Sequence, residues 1–287
     1  MDSPTQTSKP QPILVIGATG KTGSRVARAL SDSDHAVRRG SRAAPTPFDW
    51  ERQETWGPAL DGAQAAYVTY APDLAVPGAV DRVEALAGAA RRAGLKKLVL
   101  LSGRGERHAR LGEQVVEASG VAYTIIRAAW FAQNFSEGLL QAPIRAGLLP
   151  APQSGAGDPV REPIIDIDDI ADVAVAALTE PGHDGRLYEV TGPELLSFAE
   201  MAEALSKATG RRIAHRPISY AEFHASVAAT AGAAMADIVT AIARETLDGR
   251  NARLGDGVQR ALGRAPRRFA DFASKAAAAG AWSSAAA

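Results

Sequence analysis

Five short segments in the first half of the chain read as strands: residues 13–16, 35–41, 65–70, 97–101 and 122–127. Between them, residues 22–30, roughly 55–60, 79–93 and 107–118 place apolar side chains three and four apart, the spacing of an amphipathic helix. Strands alternating with helices predict a parallel sheet covered on both faces. The segment Lys-Leu-Val-Leu-Leu at 97–101 is apolar at nearly every position, as a central strand should be. A short segment near Phe48 is a candidate for one more strand. Beyond Arg127 the rhythm loosens. Residues 150–163 are rich in glycine and proline without periodicity and read as a loop, a candidate flap. Ile164-Ile165-Asp166 reads as a short strand, and Asp168-Asp169 as the cap of a helix over 170–178. Ser197 with Glu200, and Ser219 with Glu222, have the spacing of capping boxes, the first before a helix over 198–209. Arg212–Pro217 predicts a strand, and the rest of the final third is helical and alanine-rich. Residues 1–11 and the tail from about Ala276 read as loose ends, and no internal repeat is present.

The first strand empties into Gly17, Gly20 and Gly23. A buried strand followed by glycines three apart is how a sheet turns into a helix around a dinucleotide pyrophosphate. Gly17 allows the tight turn, Gly20 the close approach of backbone to phosphate, and Gly23 the helix–strand contact. The next helix aims its unsatisfied amides and positive dipole end at the anion. An ordinary glycine-rich turn can share the spacing, but not the strand before it and the helix after it. The fold expected is therefore α/β, a Rossmann doubly wound parallel sheet with a small, mostly helical C-terminal substrate-binding part. Residues 12–150 would form the nucleotide-binding core and 151–287 the second part, with segments of 163–191 returning to the core.

Composition narrows the chemistry. Among 287 residues, 32 Lys and Arg balance 32 Asp and Glu, so nothing points to nucleic acid or an acidic membrane. With no cysteine, disulfides, thiolate catalysis and Cys-ligated metals are excluded. The five histidines never pair at metal-ligand spacing. No apolar stretch approaches the ~20 residues that span a bilayer. A cytoplasmic protein, monomer or homodimer, is expected.

NAD-selective folds end their second strand with an acidic residue that binds the ribose 2′-hydroxyl. Here that region reads His35-Ala-Val-Arg-Arg-Gly-Ser-Arg42, with no carboxylate at the strand end. Guanidinium groups pair with a phosphate that a carboxylate would repel. NADP(H) is therefore expected over NAD(H), with Ser41 and Arg42 on the 2′-phosphate and Arg38 or Arg39 assisting. A solvated basic loop is the plain alternative. Asp49 reads equally as an adenine contact or an exposed loop residue.

Several further motifs join the glycine turn: Tyr67-Val-Thr-Tyr-Ala-Pro72, Leu100-Leu-Ser-Gly-Arg-Gly-Glu106, Tyr123-Thr-Ile-Ile-Arg127 and Trp130-Phe-Ala-Gln-Asn-Phe135. Together with Asp166-Ile-Asp-Asp-Ile170, Leu262-Gly-Arg-Ala-Pro266 and Phe269-Ala-Asp-Phe272, they resemble the NmrA-like group of atypical short-chain dehydrogenases. Within it the chain is most similar to the branch of ergot-alkaloid reductases and NAD(P)H-dependent quinone or azo reductases. The resemblance covers residues 12 to 282 and does not specify a substrate. It implies that Gly17, Thr19, Gly20, Lys21, Thr22 and Gly23 hold the pyrophosphate and that Arg42 meets the 2′-phosphate. It further implies that Tyr70, Ala71 and Pro72 lie along the cofactor, that Ser102 and Gly103 flank the nicotinamide, and that Trp130 to Phe135 wall the substrate cleft.

An ordinary short-chain dehydrogenase uses a Tyr-x-x-x-Lys pair, the lysine lowering the tyrosine pKa for proton exchange with a carbonyl. None of the five tyrosines has a lysine four residues later; Tyr123 is followed by Arg127, on a strand. An iminium carbon already carries positive charge and a quinone can take its proton from water, whereas an unactivated ketone builds alkoxide charge that needs a donor. The pattern thus favours planar aromatic or heterocyclic acceptors: iminium ions, quinones or enones. Catalytic candidates are Ser102, through a hydrogen bond to a substrate oxygen, Glu106, as an acid if buried, and Asn134, which would bind ligand or backbone. Substrate-binding candidates are Arg104, Trp130, Phe131, Asn134 and Phe135. Each has a structural reading beside it: strand-end serine, first-turn carboxylate, loop cation, core aromatics. A non-catalytic NADP-sensing regulator and an NAD(P)-dependent isomerase or epimerase are the rival readings of the chain.

Overall fold

The computed structural model describes residues 10–152 and 159–283. Its first half follows the expected rhythm: β1 (Ile13–Ile16), α1 (Lys21–Asp32), β2 (Val37–Gly40), α2 (Trp56–Leu60), β3 (Ala65–Val68), α3 (Ala79–Arg92), β4 (Lys97–Gly103), α4 (Arg107–Glu117) and β5 (Ala122–Ala128). Then come α5 (Gln141–Arg145), β6 (Leu148–Pro152), β7 (Arg161–Glu162), α6 (Ile167–Thr179), β8 (Arg186–Val190) and β9 (Leu196–Ser197). The chain closes with α7 (Phe198–Thr209), β10 (Ala214–Ile218), α8 (Tyr220–Ala231), α9 (Ala233–Thr246), α10 (Gly257–Leu262) and α11 (Phe269–Ala278).

Six strands form one parallel sheet in the order β2-β1-β3-β4-β5-β8, so β8 returns to the core after a long excursion. The two-residue period of each strand divides its side chains between two layers. Ile13, Val15, Tyr67, Val99 and Ile126 pack with α1, α6 and α10, while Leu14, Ile16, Val68, Leu98, Leu100 and Ile125 pack with α2, α3 and α4. That is why these runs are apolar throughout. Strand order reverses at β1 and β3, and the crevice beyond their C-terminal ends is where this topology places ligands.

A third cluster, of Phe135, Ile144, Leu149, Met201, Leu205, Phe269, Phe272 and Trp282, closes the C-terminal part against the segment that leaves β5. Both capping boxes form: Ser197 Oγ accepts from the Glu200 amide at 3.3 Å, and Ser219 Oγ from the Glu222 amide at 3.1 Å.

Other local expectations are corrected. Phe48 joins no strand; it packs among Trp50 and Trp56, beside an isolated bridge between Asp49 and Arg52. The 150–163 stretch is not all loop, since β6 pairs with β10 and β7 with β9; its residues 153–158 lie outside the described ones. Residues 164–166 contribute only the bridge of Ile165 to Phe131. The cap of α6 is Asp166, which accepts from the Asp168 amide at 2.9 Å, so the helix starts earlier than the Asp168-Asp169 pair suggested. Asp168 instead takes Arg25 of α1 and Lys275 of α11, and Asp169 takes Arg264 and Arg267.

Candidate functional site

The glycine turn stands at the reversal point. Gly17 follows β1 at φ +75°, and its amide and that of Ala18 donate to the Gly40 carbonyl that ends β2. A Cβ on Gly23 would lie 2.2 Å from the Gly17 carbonyl oxygen, so α1 can start this close to the strand only without a side chain there. Thr22 and Gly23 are buried, while Thr19 and Gly20 face solvent at the helix N-terminus. This cradle suits a pyrophosphate in its two main requirements: free amides and room for close approach. Lys21, on the first turn, donates to Asn134 Oδ1 at 2.8 Å, and burial lowers its pKa against the pull of Glu137. Asn134 therefore binds neither backbone nor an open cleft; it fastens the glycine turn to the segment after β5.

At the end of β2, Arg38 is corrected. Its guanidinium donates to the carbonyl oxygens of Ala59 (2.8 Å) and Asp61 (2.5 Å), closing the C-terminus of α2. Ser41 is half-buried, and Arg39 and Arg42 are exposed with no side-chain partner among the described residues. After β3, Tyr70 is buried against Trp50 and its hydroxyl accepts from Arg82 at 2.9 Å, leaving Ala71 and Pro72 as the exposed edge of that turn.

The segment Ser102–Glu106 ends β4 and carries three of the candidate polar groups. Ser102 Oγ donates to Glu113 Oε1 at 2.7 Å and is buried, so its proton is committed. Glu113, fully buried on α4, also accepts from Arg127 Nε at 2.8 Å and Arg110 Nη1 at 2.8 Å. Burial alone would raise its pKa, but the donors Arg127, Ser102 and Arg110 outweigh it and hold the carboxylate ionised. Arg127 is thereby removed as a partner for Tyr123. Arg104 is likewise corrected: only 3% exposed, it donates to Glu189 and to the carbonyl oxygens of Asn251 (2.5 Å) and Arg253 (2.8 Å). It clasps the 251–253 loop to the end of β8 rather than reaching for substrate.

Glu106 is different. Its carboxyl lies over Gly103, where a Cβ would meet Oε1 at 2.1 Å, and Oε2 has no hydrogen-bond partner among the described residues. Burial, then the charges of Asp73 and Glu245, push its pKa up to about 9. Asp73, after β3, is raised in the same way by burial and hydrogen-bonds to Glu106. Two carboxyls this close favour one proton held between them, and it rests on Glu106 at neutral pH.

The aromatic candidates divide. Trp130 and Phe131 are half-buried, with Trp130 Nε1 donating to Thr246 Oγ1 at 3.0 Å. Phe135 is corrected: it is 2% exposed and stacks edge-on with Phe269 inside the third cluster. Sequence reasoning missed Asp73, Glu113 and Glu162. Glu113 carried a signal, since Ala109, Gly112 and Val116 mark its side of α4 as the buried one. Glu162, on β7, is raised by burial to about 8, and neither carboxyl oxygen has a partner among the described residues.

Beside Glu106 opens a cleft of about 450 Å³ at the ends of β4, β5 and β8, reaching Gly103, Arg127, Glu189 and the 250–253 loop. The site thus joins an anion cradle, a protonated carboxyl and an adjoining cavity along one edge of the sheet.

The profile of the NmrA-like family matches residues 9–249. The chain belongs to the NmrA-like family. It is 33% identical to the NAD(P)H azoreductase of Xenophilus azovorans, over 93% of this chain and 98% of that protein. It is 31% identical to festuclavine synthase I of Penicillium roqueforti, over 91% and 96% respectively. The NADP(H) complex of the Citrobacter sp. triphenylmethane reductase shares its fold, with a TM-score of 0.73 at 22% identity over 92% of this chain and 99% of that one. The expected fold and the expected branch of the family both hold.

Proposed function

We propose that this NmrA-like oxidoreductase reduces a planar, electron-poor acceptor, an iminium ion, quinone or enone, with NADPH. The observation that carries the reading is Glu106: a carboxyl held protonated over the last residue of β4, lining the cleft at the ends of β4, β5 and β8. NADPH, when bound, supplies the hydride. Gly17, Thr19, Gly20, Lys21, Thr22 and Gly23 hold the pyrophosphate, and Ser41, Arg39 and Arg42 receive the 2′-phosphate. Ala71, Pro72 and Gly103 provide the side-chain-poor edges along which the nucleotide lies. Trp130 and Phe131 orient the flat acceptor, leaving orientation as the chief service the chain renders to hydride transfer.

Glu106 then releases its proton to the acceptor oxygen or nitrogen, and Asp73 keeps that proton at hand until it is needed. No Tyr-x-x-x-Lys pair is required, because an iminium needs no proton when hydride arrives and Glu106 supplies one where an enone does. The relative named as an NAD(P)H azoreductase supports both the redox chemistry and a nitrogen-bearing acceptor. The test is loss of NADPH absorbance when the purified protein meets a panel of quinones, cyclic imines and enones. Tight NADPH binding with no acceptor accelerating that loss would overturn the reductase reading in favour of a nucleotide sensor.

A further inference from the structure

The cleft beside Glu106 has a wall that reduction itself does not require. Arg107, Arg110, Arg250 and Arg253 line it together with the buried Arg104 and the half-buried Arg127. The carboxylates that pair with the outer four stand mostly outside the wall: Glu117 and Glu113 behind Arg110, Asp248 and Glu245 behind Arg250. Glu189 is the one ionised carboxylate lining the wall, and Arg104 and Arg253 share it. Two of the guanidinium groups keep donors in reserve. The Arg107 side chain is 81% exposed, its nearest carboxylate oxygen is 3.5 Å away, and its guanidinium makes no hydrogen bond among the described residues. Arg253 is 63% exposed and spends only Nη2, on Glu189. A guanidinium carries five N–H donors in a planar fork that matches an oxyanion.

We infer that the acceptor carries an anionic group, a sulfonate, carboxylate or phosphate ester, seated between Arg107 and Arg253 while its reducible part lies at Glu106. The arrangement explains why so many arginines gather where one would orient a neutral ring. With Glu106 protonated, its carboxyl over Gly103 adds no charge that would oppose such a ligand. The inference rests on the reductase reading for the identity of the ligand as acceptor, but not for the anion site itself.

The test is calorimetric titration of the protein, loaded with NADP+ so that nothing turns over, with naphthalene-2-sulfonate and, separately, 2-naphthol. The sulfonate should bind about tenfold tighter or better, the advantage of a charge-assisted contact, and that advantage should shrink as salt rises. In the Arg107→Gln/Arg253→Gln double variant the ratio of the two affinities should fall toward one. Both side chains are exposed, so the variant keeps its fold, and circular dichroism checks this. Equal affinities in the unaltered protein, or a ratio that survives the double substitution, would overturn the inference. Reduction of 1,4-naphthoquinone, followed in parallel, separates the two claims. Sulfonate preference without quinone reduction sinks only the reductase reading; quinone reduction without sulfonate preference sinks only the anion site.

Discussion

Replacing Glu106 by glutamine removes the ionisable group while keeping its size and its hydrogen bond to Asp73. The carboxyl titrates near 4.5 in the unfolded chain and at about 9 in the folded protein. Between those values the native state binds a proton that the unfolded state does not, so stability falls as pH rises through the window. Below 4.5 both states carry the proton and the penalty vanishes. The slope is about 1.4 kcal/mol per pH unit, and the whole window sets an upper bound of about 6 kcal/mol. Water in the adjoining cleft and relaxation of the Asp73 pair reduce the realised penalty to a few kcal/mol, roughly 2–4. Glutamine escapes it entirely. Urea unfolding of the nucleotide-free protein should therefore show Glu106→Gln near parity with the parent at pH 5 and progressively more stable toward pH 8.5. For an acceptor that must gain a proton, the same variant should lose roughly 10²–10⁴-fold in kcat/KM, and the parent's activity should decline above about pH 9. A stability difference that does not change with pH would refute the claim that this carboxyl is held protonated. An unchanged rate on enones, whose enolate must be protonated after hydride arrives, would refute its role as donor.

The other expectations are more local. Gly23→Ala drives a Cβ to 2.2 Å from the Gly17 carbonyl oxygen; the α1 N-terminus must retreat by about 1 Å, enough to cost on the order of 10² in function where alignment decides, and fluorescence titration with NADPH should show the loss. Arg42→Ala should weaken NADPH about tenfold or more while sparing NADH, the worth of a contact between unlike charges; equal losses for both nucleotides would remove Arg42 from the 2′-phosphate. Arg38→Ala should leave that selectivity intact and lower thermal stability instead, because its donors end α2. Arg104→Met leaves Glu189 to Arg253 alone and frees the 251–253 loop; each buried carbonyl left unpaired costs about 1–3 kcal/mol, read as a lower denaturant midpoint.

Legibility in the sequence tracked how local the deciding interaction was. The buried run at Ile13–Ile16, the glycine turn after it and the two Ser-x-x-Glu capping boxes are settled within a few residues, and all were readable. The helix over 167–179 was placed late because its cap is Asp166, held by Gln133 from a segment 33 residues earlier, which no local pattern reveals. The strands β6 and β7 hid inside a glycine- and proline-rich stretch because their partners, β10 and β9, come from elsewhere in the chain.

The same reasoning decides the chemistry of Ser102–Glu106, where one short stretch offers a hydroxyl, a guanidinium and a carboxyl. Sequence alone ranks them by intrinsic reactivity and leaves all three eligible. The fold separates them by what else each can reach. Ser102 meets Glu113, eleven residues on, and gives up its proton. Arg104 meets Glu189 and the 251–253 loop, 85 to 149 residues on, and spends its donors. Glu106 meets Asp73, another acid, so neither can discharge the other, and the proton they share remains available. A group becomes chemically useful here because its long-range partner is of the wrong kind to neutralise it, and that partner is what a linear reading cannot supply.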